Sequence, residues 1–219
     1  MINLVIFDLD GTLLNTLGDL AYSCNYILKR NGFPEHPVES YKYFVGNGVA
    51  KLVERALPED KRDASFVEKI RLEFVEYYSE HSEDMTAPYS GVVDLLDELS
   101  GKGLKLAIAS NKFISATQSL AKRYFPDVDF VSVLGQREGV PVKPNPQIVY
   151  DVMADAGVKN KSEILYIGDS GADMLTAVNA GVKSVGVLWG FRTEKELMEN
   201  GADFLVESPG EISEIVSRL

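Results

Sequence analysis

The feature of this chain that most limits its fold is a series of short apolar runs that alternate with stretches of helical periodicity. The runs after residue 103 have the length and the branched-residue content of buried strands. They are LKLAIAS (104–110), DFVSVL (129–134), EILYIGD (163–169), KSVGVLW (183–189) and ADFLV (202–206). Helical patterns such as ISATQSLAKRYF and PQIVYDVMADAG lie between them. Repeated strand–helix–strand units predict a parallel sheet with helices on both faces.

The first part of the chain predicts one strand followed by a helical insertion. Residues 3–7 read as a buried strand, whereas the pattern from Thr16 to about Ser82 is helical throughout. Pro58 is expected to end the second of three helices. We therefore expect an α/β fold: a doubly wound parallel-sheet (Rossmann-like) core of residues 1–15 and 84–219. A small helical domain of residues 16–83 is expected to be inserted after the first strand.

Composition restricts the class of partner. The 219 residues carry 33 acidic and 22 basic side chains, a formal net charge of −11. Nucleic acid is therefore an unexpected partner, because binding its backbone needs clustered cations. No stretch has the length of a transmembrane helix and no signal peptide is evident, so no membrane partner is expected. Cys24 is the only cysteine, so the chain cannot form an internal disulfide, which fits a cytoplasmic location. We expect Cys24 to be buried as a small hydrophobic residue.

Polar residues follow the predicted strands where each strand ends. Because parallel strands place their carboxyl ends at one edge of the sheet, these side chains are expected to converge. They are Asp8, Asp10 and Thr12 after the first strand, Ser110 and Asn111 after the next, Lys143 in the loop VKPNP, and Asp169, Ser170 and Asp173.

Taken singly, each of these signals is also compatible with a different role. Aspartates at strand ends often cap helices or form turns. An EF-hand calcium loop needs glycine at its sixth position, whereas Gly11 is fourth counted from Asp8. The segment GDSG (168–171) is also found around the nucleophile of chymotrypsin-like proteases. Those are all-β enzymes, whereas here the segment leaves a strand and opens a helix.

In combination, DLDGT, SN, the lysine of KPNP and GDSGAD resemble the four-motif signature of the haloacid dehalogenase-like (HAD) phosphatase superfamily. The resemblance covers the whole chain, with residues 16–83 as the cap domain. It implies that Asp8 is the nucleophile that forms an aspartyl-phosphate and that Asp10 is the general acid/base. Dehalogenating and phosphonate-cleaving relatives lack the second aspartate, so Asp10 argues against those reactions.

The resemblance also implies the ligands of a metal ion and of the phosphate. Mg²⁺ would be held by Asp8, by the main-chain carbonyl of Asp10 and by Asp169, with Asp173 orienting its waters. The phosphate oxygens would be received by Thr12, Ser110, Asn111 and Lys143. A metal ion and a lysine would make an anionic substrate compatible with the acidic chain.

Closer similarity favours the phosphoglycolate phosphatase-like branch, on FVGNGVAKLVERAL (44–57) and GVLWGFRTEKEL. In the cap segment, Asn47 and Gly48 are expected near a small substrate. Lys51 and Arg55 either bind its carboxylate or are exposed charges on a helix. Asn15 departs from the aspartate common in relatives, at the point where the chain leaves the core towards the cap hinge.

Three functions therefore stay open. The first is a Mg²⁺-dependent phosphomonoester hydrolase acting on a small phosphate ester, with 2-phosphoglycolate favoured; pyrophosphatase and nucleotidase activities are variants of it. The second is a sugar phosphomutase of the β-phosphoglucomutase type. The third is a non-catalytic binding module. A monomer and a homodimer are both compatible with the sequence.

Overall fold

The computed structural model describes all 219 residues as eight strands and ten α-helices, with three short 3₁₀ turns. The strands are β1 (Leu4–Phe7), β2 (Leu14–Asn15), β3 (Ala87–Pro88), β4 (Lys105–Phe113), β5 (Phe130–Gln136), β6 (Ile164–Gly168), β7 (Lys183–Val187) and β8 (Phe204–Val206). The helices are α1 (Leu17–Arg30), α2 (Tyr41–Phe44), α3 (Val49–Ala56), α4 (Ala64–His81), α5 (Val92–Gly101), α6 (Ile114–Tyr124), α7 (Gln147–Ala156), α8 (Gly171–Ala180), α9 (Glu194–Glu199) and α10 (Pro209–Arg218). No helix has both the length and the apolar content needed to cross a membrane.

The main sheet has six parallel strands in the order β5-β4-β1-β6-β7-β8. The chain moves from β1 outward to β4 and β5, and then returns to the other side of β1 to form β6. This reversal of direction is a topological switch point, where α/β sheets open a crevice at the carboxyl ends of the strands. The expected doubly wound α/β fold is confirmed.

Alternate residues of the strands enter two separate apolar clusters, because successive side chains of a strand point to opposite faces. On one face, Val5 and Phe7 of β1 pack with α5, α6 and α10. On the other, Leu4 and Ile6 pack with α7 and α8. The central strands are thus buried on both faces, which accounts for their apolar runs without alternation.

Helices α1 to α4, here called the helical unit (residues 17–81), share a third apolar cluster. Cys24 lies in this cluster, is 1% exposed and behaves as a buried hydrophobe. From outside the unit, the buried side chains of Ala116 and Phe191 join this cluster, and the partly buried Phe113 packs against it. Helix α3 ends at Ala56, and Leu57 is extended (ψ 150°), as expected for the residue before Pro58.

The chain enters and leaves the helical unit through a two-stranded antiparallel ribbon, β2 paired with β3. Close to this ribbon, the carboxylate of Asp19 accepts hydrogen bonds from the main-chain N–H groups of Met85 (2.9 Å) and Thr86 (2.9 Å) and from the Thr86 hydroxyl (2.7 Å). Asp19 is 2% exposed, so these bonds are shielded from water. The first turn of α1 is thereby tied to the segment through which the chain returns.

We expect Asp19→Ala to lower the free energy of unfolding by about 2 to 4 kcal/mol, because two N–H groups lose a charged acceptor. The measurement is the urea midpoint followed by circular dichroism. Asp127→Ala, at an exposed position, is the matched control and is expected to leave the midpoint unchanged. Equal midpoints for both variants would contradict the role assigned to Asp19.

Candidate active site

Three buried carboxylates meet at the carboxyl ends of β1 and β6. Asp8 follows β1 directly, and Asp169 follows β6, its neighbour in the sheet. Asp173 lies in the first turn of α8, where it forms a capping box with Ser170. One oxygen of each of the three aspartates lies within 4.8 Å of the others. The sheet topology therefore brings together three acids that are far apart in the sequence.

Lys143 is the cation at the centre of these acids. Its Nζ lies 2.9 Å from Oδ1 of Asp8, 2.7 Å from Oδ1 of Asp173 and 3.0 Å from the carbonyl oxygen of Ala109. The main-chain N–H of Lys143 donates to Oδ1 of Asn111 (2.8 Å), which fixes the loop that carries the lysine. All three N–H groups of the ammonium therefore have an oxygen partner. One positive charge faces three carboxyl groups.

This concentration of carboxyl groups changes the pKa of Asp8 and of Asp169. Burial and the neighbouring Asp173 raise the pKa of Asp8 to about 7, although Lys143 acts in the opposite direction. Burial, with Asp173 and Asp8 nearby, raises the pKa of Asp169 well above its ordinary value. For Lys143, burial alone would lower the pKa, but the carboxylates of Asp173 and Asp8 outweigh it and raise the pKa. The acids need more positive charge than the lysine supplies to ionise together.

Asp10 lies in a second environment, apart from Lys143. Its Oδ1 accepts hydrogen bonds from the Thr16 hydroxyl (2.7 Å) and from Nζ of Lys112 (3.1 Å). The Lys112 side chain is 2% exposed, and its Nζ lies 4.5 Å from the centre of the Tyr78 ring. Burial alone would lower the pKa of Lys112, but Asp10 and Tyr78 together outweigh it and raise the pKa. The two aspartates of DLDGT are thus each paired with a different lysine.

The other residues predicted from the strand ends lie around the same point. Thr12 is buried and its hydroxyl donates to Oδ1 of Asp169 (3.4 Å). Ser110 and Asn111 are buried near the end of β4. The Asn111 side chain donates to the carbonyls of Lys143 (3.2 Å) and Gly46 (2.9 Å), so its amide links the core to the helical unit.

A cavity lies between this sheet edge and the helical unit, with about 40 Å³ of space for the centres of water molecules. Its polar floor comes from the strand ends and includes Asp8, Asp10 and Asp169. Thr12, Lys143 and Asp173 do not line the cavity and lie behind the floor. The wall contributed by the helical unit consists of Leu20, Val45, Gly46, Gly48, Val49, Leu52, Phe74 and Tyr78. The helical unit therefore presents an uncharged surface to the acids.

Of the four residues predicted in the segment 44–57, the structure brings only Gly48 to the cavity. Lys51 is exposed and pairs with Glu54 (2.6 Å), so it is an exposed helix charge, the second of the two roles that the sequence allowed. Arg55 donates to the carbonyls of Tyr43 (3.2 Å) and Phe44 (3.0 Å) and to Oδ1 of Asn47 (2.8 Å). Neither cation nor Asn47 lines the cavity.

Asn15, which departs from the aspartate of relatives, lies in β2 and accepts a weak hydrogen bond from the N–H of Leu17 (3.4 Å). An aspartate oxygen could accept the same hydrogen bond, so the contact between the ribbon and α1 does not depend on which of the two residues is present.

Sequence reasoning missed two cations that line the cavity, Lys112 and Arg192. A signal existed for Lys112, because it lies two residues after Ser110 and a strand that continued past residue 110 would place both on one face. Arg192 lies in the loop after β7, and the sequence expectation included no polar residue from the end of that strand. Its guanidinium donates to the carbonyl of Val45 (3.0 Å) in the helical unit.

Comparison with known proteins gives a consistent result. The sequence model of the family described as haloacid dehalogenase-like hydrolase matches residues 5–187. The chain is 32% identical to a phosphoglycolate phosphatase of Vibrio parahaemolyticus over 221 residues, covering 99% of this chain and 96% of the relative. It is 34% identical to a phosphoglycolate phosphatase of Caulobacter vibrioides over 206 residues, covering 93% of this chain and 86% of the relative.

Solved structures agree on the fold. A Lactobacillus delbrueckii subsp. bulgaricus protein, provisionally assigned as a phosphoglycolate phosphatase, superposes with a TM-score of 0.90 at 32% identity and covers 98% of both chains. A haloacid dehalogenase-like family hydrolase of Streptococcus pneumoniae superposes with a TM-score of 0.87 at 23% identity, again over 98% of both chains. The match of the family model to most of the chain and the identity to full-length relatives confirm the resemblance seen in the motifs: the chain belongs to the haloacid dehalogenase-like hydrolase family.

Proposed function

We propose that this protein is a Mg²⁺-dependent phosphomonoester hydrolase that acts through an aspartyl-phosphate on a small metabolite, 2-phosphoglycolate. The observation that carries the proposal is the buried group of Asp8, Asp169 and Asp173 around Lys143, beneath a cavity that also holds Asp10. The choice of 2-phosphoglycolate is supported by the names of relatives that are about one-third identical over nearly the whole chain.

The residues at the sheet edge fit a magnesium ion. Three buried carboxyl groups face one ammonium, and carboxylate and carbonyl oxygens are the ligands that Mg²⁺ prefers. Asp8, Asp169 and the main-chain carbonyl of Asp10 would hold the ion. Both oxygens of Asp173 already accept hydrogen bonds from protein groups, which suits it to orienting bound water. When bound, the ion would neutralise the carboxylates and the phosphate and orient the attack.

Two glycines allow the Asp169 side chain to reach this edge of the sheet. A Cβ at Gly190 would lie 2.2 Å from Cβ of Asp169, and a Cβ at Gly11 would lie 2.3 Å from its Oδ2. The Asp169 carboxylate could therefore not lie where it does if either position carried a side chain. Gly11 also has a φ of +83°, a conformation that other residues adopt at a cost.

In the proposed reaction, a carboxylate oxygen of Asp8 attacks phosphorus and the bond to the ester oxygen breaks. Asp10 gives its proton to the departing oxygen, which leaves as an alcohol. Asp10 then takes a proton from the water that attacks the aspartyl-phosphate, releasing phosphate and restoring Asp8. Ser110 and the main chain of Asn111, which line the cavity, would receive the phosphate oxygens as charge spreads over them. Lys143 and Thr12 do not line the cavity, so they would contribute only by exchanging a present contact, with Asp8 and with Asp169 respectively, for one with the phosphate.

We further propose that residues 16–83 act as a cap domain over a core of residues 1–15 and 84–219. The β2–β3 ribbon at the junction and the separate apolar cluster of the helical unit support this division. The uncharged wall of the unit would exclude water from the phosphoryl group and so protect the aspartyl-phosphate. The cytoplasmic location and the monomeric or dimeric state stay predictions.

The deciding experiment is an assay of phosphate release from 2-phosphoglycolate, hexose 1-phosphates, nucleotides and pyrophosphate, with Mg²⁺ and with a chelator. We expect rapid, Mg²⁺-dependent release from 2-phosphoglycolate. Isomerisation of a hexose 1-phosphate with little free phosphate would instead identify a phosphomutase. Absence of any metal-dependent chemistry would leave only a binding module.

We expect Asp8→Asn to abolish phosphate release, because an amide is too poor a nucleophile to attack phosphorus. Asp10→Asn is expected to lower kcat by about 10²- to 10⁴-fold, the usual contribution of a positioned acid/base. The measurement is initial-rate kinetics on 2-phosphoglycolate, with Asp127→Asn as a control at an exposed position. An Asp8→Asn protein that turned over at the wild-type rate would refute the assignment of the nucleophile.

Mg²⁺ at about 100 times its Kd is expected to add about 2.7 kcal/mol of stability and to raise Tm by about 5 to 11 °C. Asp169→Asn should lose this rise, because it removes one carboxylate while its amide oxygen can still accept the N–H of Phe191. Thermal unfolding with and without Mg²⁺ checks both expectations. An equal rise in the variant and the wild type would place the metal site elsewhere.

A further inference from the structure

We propose that Lys112 is a specificity-determining residue that binds a negatively charged group on the leaving part of the substrate, such as the carboxylate of 2-phosphoglycolate. The proposal rests on the proposed function and adds the residue that selects the leaving group. It differs from the sequence expectation, which placed a carboxylate-binding cation at Lys51 or Arg55.

The two buried lysines differ in how many of their donors are used. The ammonium of Lys143 has three oxygen partners, on Asp8, Asp173 and Ala109, at 2.7 to 3.0 Å. The ammonium of Lys112 has one partner, the carboxylate of Asp10, at 3.1 Å and 3.4 Å from its two oxygens. An ammonium has three N–H groups, and a buried one is costly unless its donors are satisfied. Lys112 lines the cavity and therefore retains donor capacity for an anion there.

A second polar group lies beside it without a partner. The hydroxyl of Tyr78 is fully buried, has no hydrogen-bond partner within 3.5 Å and interacts with the neighbouring Lys112 ammonium, and Tyr78 lines the same cavity. Buried hydroxyl groups are rarely unpaired, so we assign this one as a donor to a ligand. Nζ of Lys112 lies 4.5 Å from the centre of the Tyr78 ring, which places the ammonium and the phenol in one corner of the cavity.

The surroundings of this corner would strengthen its hold on an anion. The neighbouring wall is formed by apolar side chains that include Leu20, Phe74 and Phe113. An ionic hydrogen bond is stronger in such surroundings than in water. Arg192, the other cation that lines the cavity, is already engaged by the carbonyl of Val45 and by Glu196.

The position of Lys112 assigns it to the leaving group and not to the phosphate. Lys143 contacts Asp8, the proposed nucleophile, whereas Lys112 contacts Asp10, the group proposed to protonate the departing oxygen. A group bound by Lys112 would therefore belong to the part of the substrate that carries the departing oxygen, which Asp10 is proposed to protonate. A carboxylate two bonds from that oxygen, as in 2-phosphoglycolate, suits this short distance.

The test compares 2-phosphoglycolate with 2-hydroxyethyl phosphate, which carries a neutral hydroxymethyl group in place of the carboxylate. We expect the wild type to prefer the charged ester in kcat/KM, and Lys112→Met to lower this preference by about 10- to 100-fold. Taking the ratio of the two esters removes any effect that loss of the Lys112–Asp10 pair has on both. Tyr78→Phe is expected to lower the preference by a smaller factor, and Lys122→Met, at an exposed lysine, is expected to leave it unchanged.

Binding of both esters to the Asp8→Asn protein, with and without Lys112→Met, gives a readout that does not need turnover. A preference that is the same with and without the Lys112 ammonium, in kinetics or in binding, would overturn the inference while hydrolysis by the wild type upheld the proposed function. Failure of the wild type to hydrolyse either ester would refute the proposed function. The ratio of the two dissociation constants would then still decide the role of Lys112.

Discussion

The contact of Lys143 with Asp8 and Asp173 is the interaction on which the rest of the site depends. The order in which the chain adds strands reverses at β1, and this brings oxygens of Asp8, Asp169 and Asp173 within 4.8 Å of one another. Burial makes the ionised forms of these acids costly. One ammonium offsets part of that charge, and the two hydrogen-bonding groups of the Asn111 side chain hold its loop in place. The remaining excess of negative charge would favour a bound cation, as in the proposed magnesium site, and the glycines at 11 and 190 admit the Asp169 side chain at this edge.

The second lysine separates the two aspartates of DLDGT in electrostatic terms. Asp8 and Asp10 are two residues apart, yet one contacts Lys143 and the other contacts Lys112 and Thr16. Different neighbours are a means by which proteins give adjacent carboxyl groups different roles. In this site the phosphoryl group would lie between the two lysines, with the leaving group on the side of Lys112.

The polar floor of the cavity could be predicted from sequence because the carboxyl ends of parallel strands lie at one edge of the sheet, independently of the conformation of the loops between them. The contacts of the helical unit could not be predicted so directly. In α3, the apolar positions Val49, Leu52 and Val53 face inward, and the same periodicity turns Lys51 and Arg55 away from the cavity. The β2–β3 ribbon has two residues in each strand, too few for any alternation to show. Lys112 was missed because its strand continues three residues beyond the apolar run that ends at Ser110.

The division of chemistry between the two parts of the molecule follows from these placements. All the charged side chains that line the cavity come from the strand ends and the loop after β7, whereas the helical unit contributes apolar side chains, two glycines and the phenol of Tyr78. Beside the cavity, the core contacts two main-chain carbonyls of the unit, that of Gly46 from Asn111 and that of Val45 from Arg192, at a turn whose glycines have φ values of +104° and +83°. An uncharged lid adds no competing ligand for a metal ion or a phosphate, and by excluding water it strengthens each ionic contact beneath it. If the proposed function holds, we expect the core to recognise charge and the helical unit to select the shape of the leaving group, so that changes in the apolar wall alter the size of the accepted substrate without disturbing the reacting groups.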